Sequence, residues 1–232
     1  MKTLGLIGGM SWESTLPYYR LINEGVRERL GGLHSAPLVL WSVDFDVIAR
    51  LQREGDWAAA GHQLAIAARR LQDAGAQALV LCTNTMHKVA DAITAATDIP
   101  LLHIVDATVQ ALRATGIARA GLLATAFTME EPGYRARFAA HGVELVVPPA
   151  AARLDVHRII FDELCRGQWH ESSRARYRDI MAGLVADGAQ GIILGCTEIG
   201  LLVSAADATV PLFDTTALHA AAAVDWALGD AA

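Results

Sequence analysis

The chain repeats itself at three places, in the same order and at matching distances, and this constrains its fold more than any single motif. Leu4-Gly5-Leu6-Ile7-Gly8-Gly9-Met10 opens a half that runs to Cys82; Ala120-Gly121-Leu122-Leu123-Ala124-Thr125 opens a half that runs to Cys196. Gly5 to Cys82 spans 77 positions and Gly121 to Cys196 spans 75. A third echo follows each cysteine, Ile99-Pro100-Leu101-Leu102-His103 against Val210-Pro211-Leu212-Phe213-Asp214. The period is domain-sized, far longer than that of solenoid repeats. It implies two half-chain lobes related by a pseudo-two-fold axis. By the repeat, the natural boundary between the halves is Ala114 to Arg119, the first half carrying Cys82 and the second Cys196.

Both cysteines close a short apolar run and are followed by threonine: Leu79-Val80-Leu81-Cys82-Thr83 and Ile192-Ile193-Leu194-Gly195-Cys196-Thr197. Runs this short and β-rich are buried parallel strands. Each thiol therefore leaves a carboxyl strand end, the edge at which open α/β sheets bind ligands. Eight strands are expected, near 2–7, 37–43, 78–82, 100–103, 119–124, 144–147, 191–194 and 210–213. Helical patterns lie between them, over Leu16 to Leu30, Trp57 to Ala74 with Gly75 as the stop, and Ser172 to Ala186 with Gly188 as the stop. Pro148 to Ala152 is expected to be a loop. The fold class is thus α/β, each lobe a four-stranded parallel sheet flanked by helices. The active site is expected in the cleft between the lobes, with one sulfur on either side of a small substrate.

Composition removes several classes of function. A length of 232 residues with 53% hydrophobic and 19% charged side chains describes a compact core-forming chain. A net charge of −6 argues against nucleic acid, which needs clustered Lys and Arg. No apolar run approaches the roughly 20 residues of a membrane helix, so no membrane partner is expected. Three cysteines, an odd number without a secretory signal, point to free thiols and a cytoplasmic setting.

A thiol works as an acid or base only when its pKa, about 8.5 unperturbed, is brought toward working pH. A helix N-terminus after each strand would favour the thiolate. Thr83, Asn84, Thr85 and Thr197 are suited to cap such helices and to bind a substrate carboxylate. The blander reading makes each cysteine a small buried hydrophobe, and Cys165, which has no counterpart in the other half, is structural on this reading. Cys82, His87 and Cys196 lack compact ligand spacing, so no metal is expected. His87 either tunes the thiol or packs and caps. Gly5, Gly8 and Gly9 are expected to let the backbone approach a small ligand. Trp12, Tyr18 and Tyr19 are helix core or cleft wall, with core favoured; Asp44, Asp46, Arg50 and Gln52 belong to a further loop after the second strand.

With these residues in place, the chain resembles the aspartate/glutamate racemase superfamily, in particular its aspartate and broad-specificity amino-acid racemases that use no cofactor. Three motifs carry the resemblance: Gly5-Leu6-Ile7-Gly8-Gly9-Met10-Ser11-Trp12-Glu13-Ser14-Thr15, Cys82-Thr83-Asn84-Thr85-Met86-His87 and Gly195-Cys196-Thr197-Glu198-Ile199. The resemblance implies flavodoxin-like lobes with the last helix returning to the first, so that residues 1–103 plus 215–232 form the lobe carrying Cys82 and 104–214 the lobe carrying Cys196. It implies Cys82 and Cys196 as acid/base thiols without pyridoxal phosphate or metal. Thr83, Asn84, Thr85 and Thr197 would bind the α-carboxylate and amino group, and Met10 and Gln52 would line the pocket. The reaction would be racemisation of an amino acid, and the expected assembly is a homodimer. Where strict aspartate racemases of this family carry a lysine, this chain has Cys165 within Glu163-Leu164-Cys165-Arg166-Gly167, which tilts specificity toward a broader range. Maleate isomerisation, single-cysteine decarboxylation and non-catalytic amino-acid binding remain as alternatives.

Overall fold

The computed structural model describes residues 1–229; residues 230–232, the end of the segment expected in the first lobe, lie outside the described residues. Two compact units divide the chain, one made of Met1–Ile104 with the segment from His219 onward, the other of Val105–Leu218. In the first unit the elements are β1 (Leu4–Gly8), α1 (Trp12–Leu30), β2 (Leu38–Ser42), α2 (Phe45–Glu54), α3 (Trp57–Asp73), β3 (Ala78–Leu81), α4 (Ala90–Thr94) and β4 (Leu101–Leu102). Next come α5 (Ile104–Ala114), β5 (Arg119–Leu123), α6 (Ala126–Met129), α7 (Pro132–Ala140), β6 (Glu144–Val146), α8 (Ala150–Asp162), α9 (Glu171–Ala186), β7 (Ile192–Leu194), β8 (Leu212–Asp214) and α10 (Thr215–Leu228).

Each unit holds a four-stranded sheet, ordered β2-β1-β3-β4 and β6-β5-β7-β8, and every pairing is parallel. The two orders are the same order one half-chain apart. The repeat in the sequence is therefore a repeat of topology, with the cysteine strand third in its own half and beside the first.

Period-two alternation sorts the first sheet's side chains between two apolar layers. Ile7, Leu79 and Leu81 face a cluster with Ile48, Leu64, Leu71 and Ile93, beneath α2, α3 and α4. Leu4, Leu6, Ala78, Val80 and Cys82 face Tyr18, Ile22 and Val26 of α1 and Ala220, Ala223 and Val224 of α10. Gly25 lets α1 lie close to α10: a Cβ added there would stand 3.1 Å from Val224.

Several local expectations are revised. The alanines after Pro148-Pro149 form the first turn of α8, with Pro149 as the cap, because alanine is the best helix former and the prolines only fix its start. Asp44 caps α2 through the Asp46 N–H at 3.1 Å, so Asp46, Arg50 and Gln52 lie on a helix. Trp12 and Tyr19 are exposed and only Tyr18 is core. The glycines answer to protein packing. A Cβ on Gly8 would meet Thr15 Cγ2 at 2.4 Å; Gly9, at φ +91°, would place one 2.3 Å from the Val43 carbonyl.

Candidate active site

Cys82 follows β3 directly, its N–H donating to the Ile7 carbonyl at 2.9 Å. Alternation carries its side chain into the layer beneath α1 and α10, where it is 0% exposed. Its thiol donates only a long bond, 3.7 Å, to the Val80 carbonyl. Desolvation pushes this thiol far above the ordinary cysteine range. The expected tuning toward the thiolate is not what the chain builds. The segment after Cys82 opens into a 3₁₀ turn, Thr85–Val89, that runs directly into α4, without a side-chain cap from Asn84, and the dipole of this short helical stretch does not offset the burial of the thiol.

His87 holds this loop. Its Nδ1 lies 2.7 Å from the Thr83 carbonyl, which can only accept, so Nδ1 carries the proton; Nε2 accepts the Ile104 N–H at 3.3 Å. The ring thus ties the residue after Cys82 to the first residue of α5. Capping, not thiol tuning, is its role in the described contacts.

Thr83 and Asn84 are buried and Thr85 is half-buried along the same loop. The loop passes from the α1/α10 layer at Cys82 to the opposite layer at Met86, where Met10 also lies. Gln52 is buried there too, with Nε2 3.0 Å from Met86 Sδ and Oε1 without a hydrogen-bond partner. A buried amide oxygen left unpaired costs about 1–3 kcal/mol, so it marks a place where a donor from a ligand would be welcome.

Cys196 has different company. It is 8% exposed, and its Sγ lies 3.0 Å from Glu198 Oε2. The Thr197 hydroxyl donates to the same oxygen at 2.7 Å, and the Cys165 thiol to Oε1 at 3.7 Å. Three donors converge on one buried carboxylate. Burial raises the Cys196 pKa, and the Glu198 and Cys165 charges raise it further. Here too the following turn, Ile199–Leu201, is a 3₁₀ turn of three residues, and no long helix dipole favours the thiolate. Thr197, expected to donate to a substrate carboxylate, has its hydroxyl proton committed to Glu198; its oxygen keeps lone pairs for an ammonium group.

Glu198 is the functional candidate that the sequence motif contained but did not single out. Cys165, read as structural, sits on the 3₁₀ turn Leu164–Arg166 and touches that same carboxylate. Tyr177 is buried nearby, and its hydroxyl is held well above the usual range by burial first and then by the charges of Cys196 and Glu163. Among the described residues, no group of three or more His, Cys, Asp or Glu side chains could hold a metal ion, and no helix is long and apolar enough to cross a membrane.

The profile of the Asp/Glu/Hydantoin racemase family matches residues 7–223. The chain belongs to this family. Its members are racemases, which makes the protein an isomerase by class. A candidate Asp/Glu racemase from Yersinia pestis is 57% identical over 98% of this chain and 100% of its own, with a TM-score of 0.91. An aspartate racemase homologue from Pyrococcus horikoshii is 32% identical over 98% of this chain and 99% of its own, with a TM-score of 0.84. The fold is wider than the reaction: unliganded arylmalonate decarboxylase shares it at 17% identity and a TM-score of 0.55, over 99% and 94% of the two chains.

Proposed function

We propose that the protein racemises amino acids by a two-base mechanism in which Cys82 and Cys196 serve opposite faces of one α-carbon. The observation that supports this most is the equivalence of the two thiols. Each leaves the carboxyl end of the third strand of its own sheet, in two units of identical strand order, and each is followed by threonine. A single-cysteine decarboxylase needs only one of them.

Both resting thiols are neutral, so the base has to be made. On the Cys196 side, the thiol proton passes along its hydrogen bond to Glu198, leaving a thiolate. That thiolate takes the substrate's α-proton while the Cys82 thiol gives its own proton to the opposite face. The product leaves with inverted configuration, Cys196 is a thiol again and Cys82 a thiolate. Solvent carries the proton from Glu198 back to Cys82 once the product departs. In the reverse direction, the thiolate at Cys82 has no carboxylate beside it, and the substrate ammonium, an adjacent positive charge, is the group that favours it. Thr83, Asn84, Thr85, Thr197 and Gln52 bind the carboxylate and ammonium groups. Hydrogen bonds aimed at the developing enolate oxygen, in a site closed to water, stabilise the carbanion-like state.

Substrates extend beyond aspartate and glutamate, because Cys165 offers no cation to a side-chain carboxylate. The decisive experiment incubates a panel of L-amino acids with the protein in heavy water and scores α-deuteration together with optical inversion. Deuteration with inversion is expected; decarboxylation of malonates, or binding without exchange, would replace this reading. Activity is expected to survive exhaustive dialysis against chelator, with no pyridoxal absorbance.

A further inference from the structure

We infer that Phe127, His157 and Phe161 receive the substrate's side chain, so that amino acids with uncharged, apolar side chains are the preferred substrates; this rests on the racemase reading of the site. None of the three belongs to a motif that carries the family resemblance, and the proton transfers use none of them. The three rings form one cluster in the second unit. Phe127 stands edge-on to His157, with centroids 5.4 Å apart at 83°, and to Phe161, 6.5 Å apart at 90°; His157 and Phe161 are 4.8 Å apart. All three are half-buried, whereas Tyr177 and Phe138, large rings of the same unit, are fully buried. Ring surface left open in this way gains from contact with an apolar group.

Topology puts the cluster at the sulfur's edge of the sheet. β5 and β7 are adjacent parallel strands, with Leu123 in register with Leu194 and the Gly195 N–H donating to the Leu123 carbonyl at 2.7 Å. Phe127 follows β5 at the same carboxyl end from which Cys196 leaves β7. His157 and Phe161 are one turn apart on α8, and four further residues bring the chain to Cys165. The Cys165 thiol lies 3.7 Å from Glu198 Oε1, and Cys196 Sγ lies 3.0 Å from Glu198 Oε2. The end of α8 that carries Phe161 is therefore tied to the carboxylate that holds Cys196.

Charge selects the substrate class. The Ala126 N–H can only donate, so His157 Nδ1, 3.2 Å away, accepts, and the imidazole is neutral. Asp162 and Glu130 favour its charged form, yet burial outweighs them and holds its pKa below the ordinary histidine value. An ammonium or guanidinium on the substrate's side chain would meet the same desolvation. A side-chain carboxylate would meet the repulsion of Asp162, Glu130 and Glu198. The two arginines of α8 do not offset this, since Arg153 is committed to Glu130 at 3.0 Å and Arg158 to Glu163 at 3.3 Å. An apolar side chain incurs neither cost.

Steady-state α-deuteration by the full chain in heavy water tests this, with methionine, leucine, alanine, lysine and aspartate as substrates. Wild type is expected to show kcat/KM about ten-fold or more higher for methionine and leucine than for alanine, lysine or aspartate. Phe127→Ala and Phe161→Ala are each expected to lower the methionine-to-alanine ratio by roughly ten-fold. Phe161→Met, which keeps an apolar side chain of similar size, is expected to retain that ratio. A wild type that prefers lysine or aspartate to methionine overturns the inference, as does a folded alanine variant with an unchanged ratio. Should both alanine variants fail to fold, the wild-type order of substrates decides. Exchange on alanine without preference for methionine overturns this subsite alone; no exchange on any amino acid overturns the racemase reading with it.

Discussion

The two thiols stand at the same place in the same topology and in unlike surroundings. Cys82 lies in an apolar layer with one long bond to a backbone carbonyl; Cys196 lies against a carboxylate that also collects Thr197 and Cys165. Duplication preserved the strand order and the Cys-Thr pair, which position a sulfur. It did not preserve what manages the sulfur's proton. A racemase converts two mirror-image substrates of equal free energy, yet its two halves need not use equal means.

The largest effect expected is loss of racemisation in Cys82→Ser or Cys196→Ser, by roughly 10³-fold or more, since each face needs its own acid/base group. Far-UV spectra are expected to be unchanged, and an optical-rotation assay measures the loss. A serine variant with near-wild-type racemisation would break the comparison outright. Glu198→Gln comes next, with about 10²-fold lower kcat. The amide keeps the shape but cannot take the Cys196 proton. Because enantiomers have equal free energy, kcat/KM must fall alike in both directions. The asymmetry should appear in heavy water, as α-deuteration lost from one enantiomer far more than from the other. Equal loss from both would mean that Glu198 serves the fold, not Cys196.

Cys165→Lys places a cation beside the same carboxylate. A charge-assisted contact to a substrate carboxylate contributes on the order of 1.5–3 kcal/mol, a ten- to hundred-fold gain for aspartate over a neutral amino acid. The ratio of kcat/KM for aspartate and methionine measures it. A changed stability with an unchanged ratio would mean that the introduced ammonium pairs only with Glu198.

The smallest effect concerns pH. Burial raises both thiols, so the native state keeps protons that the unfolded chain releases above about pH 8.5. Stability should fall as pH rises from there, by up to about 1.4 kcal/mol per pH unit for each thiol, and Cys82→Ala should lessen that slope in urea titrations. Acid works through another group. Hydrogen bonds, Arg174's first, hold Asp207 well below the ordinary carboxylate range, so its stabilisation is full above the unfolded value and is lost as pH falls through the folded one. Asp207→Asn should remove that acid dependence without altering the alkaline slope.

Strand ends were readable in the sequence because they are local: an apolar run, a turn residue and a period of two suffice to find Leu79 to Cys82 and Ile192 to Cys196. The thiols' electrostatics were not. What desolvates Cys82 includes Ala220, Ala223 and Val224, small residues far away in the chain whose significance exists only after packing. Glu198 was visible as a letter two places after Cys196. That its carboxylate turns back onto the sulfur depends on the 3₁₀ turn that follows, and nothing in residue type announces that turn. The glycines misled for a related reason, since a missing side chain shows that something comes close but not what.

The placement of α10 also bears on the order in which the molecule is made. Synthesis runs from the N-terminus, and domains generally fold as units, yet the first unit lacks one wall until Ala220 to Ala227 emerge. The second unit, contiguous in sequence, can close as soon as Leu218 is made. The half translated first is thus finished last, and until then Tyr18, Ile22 and the strand leading to Cys82 stand open on one side, a surface for chaperones to shield and for oxidants to find.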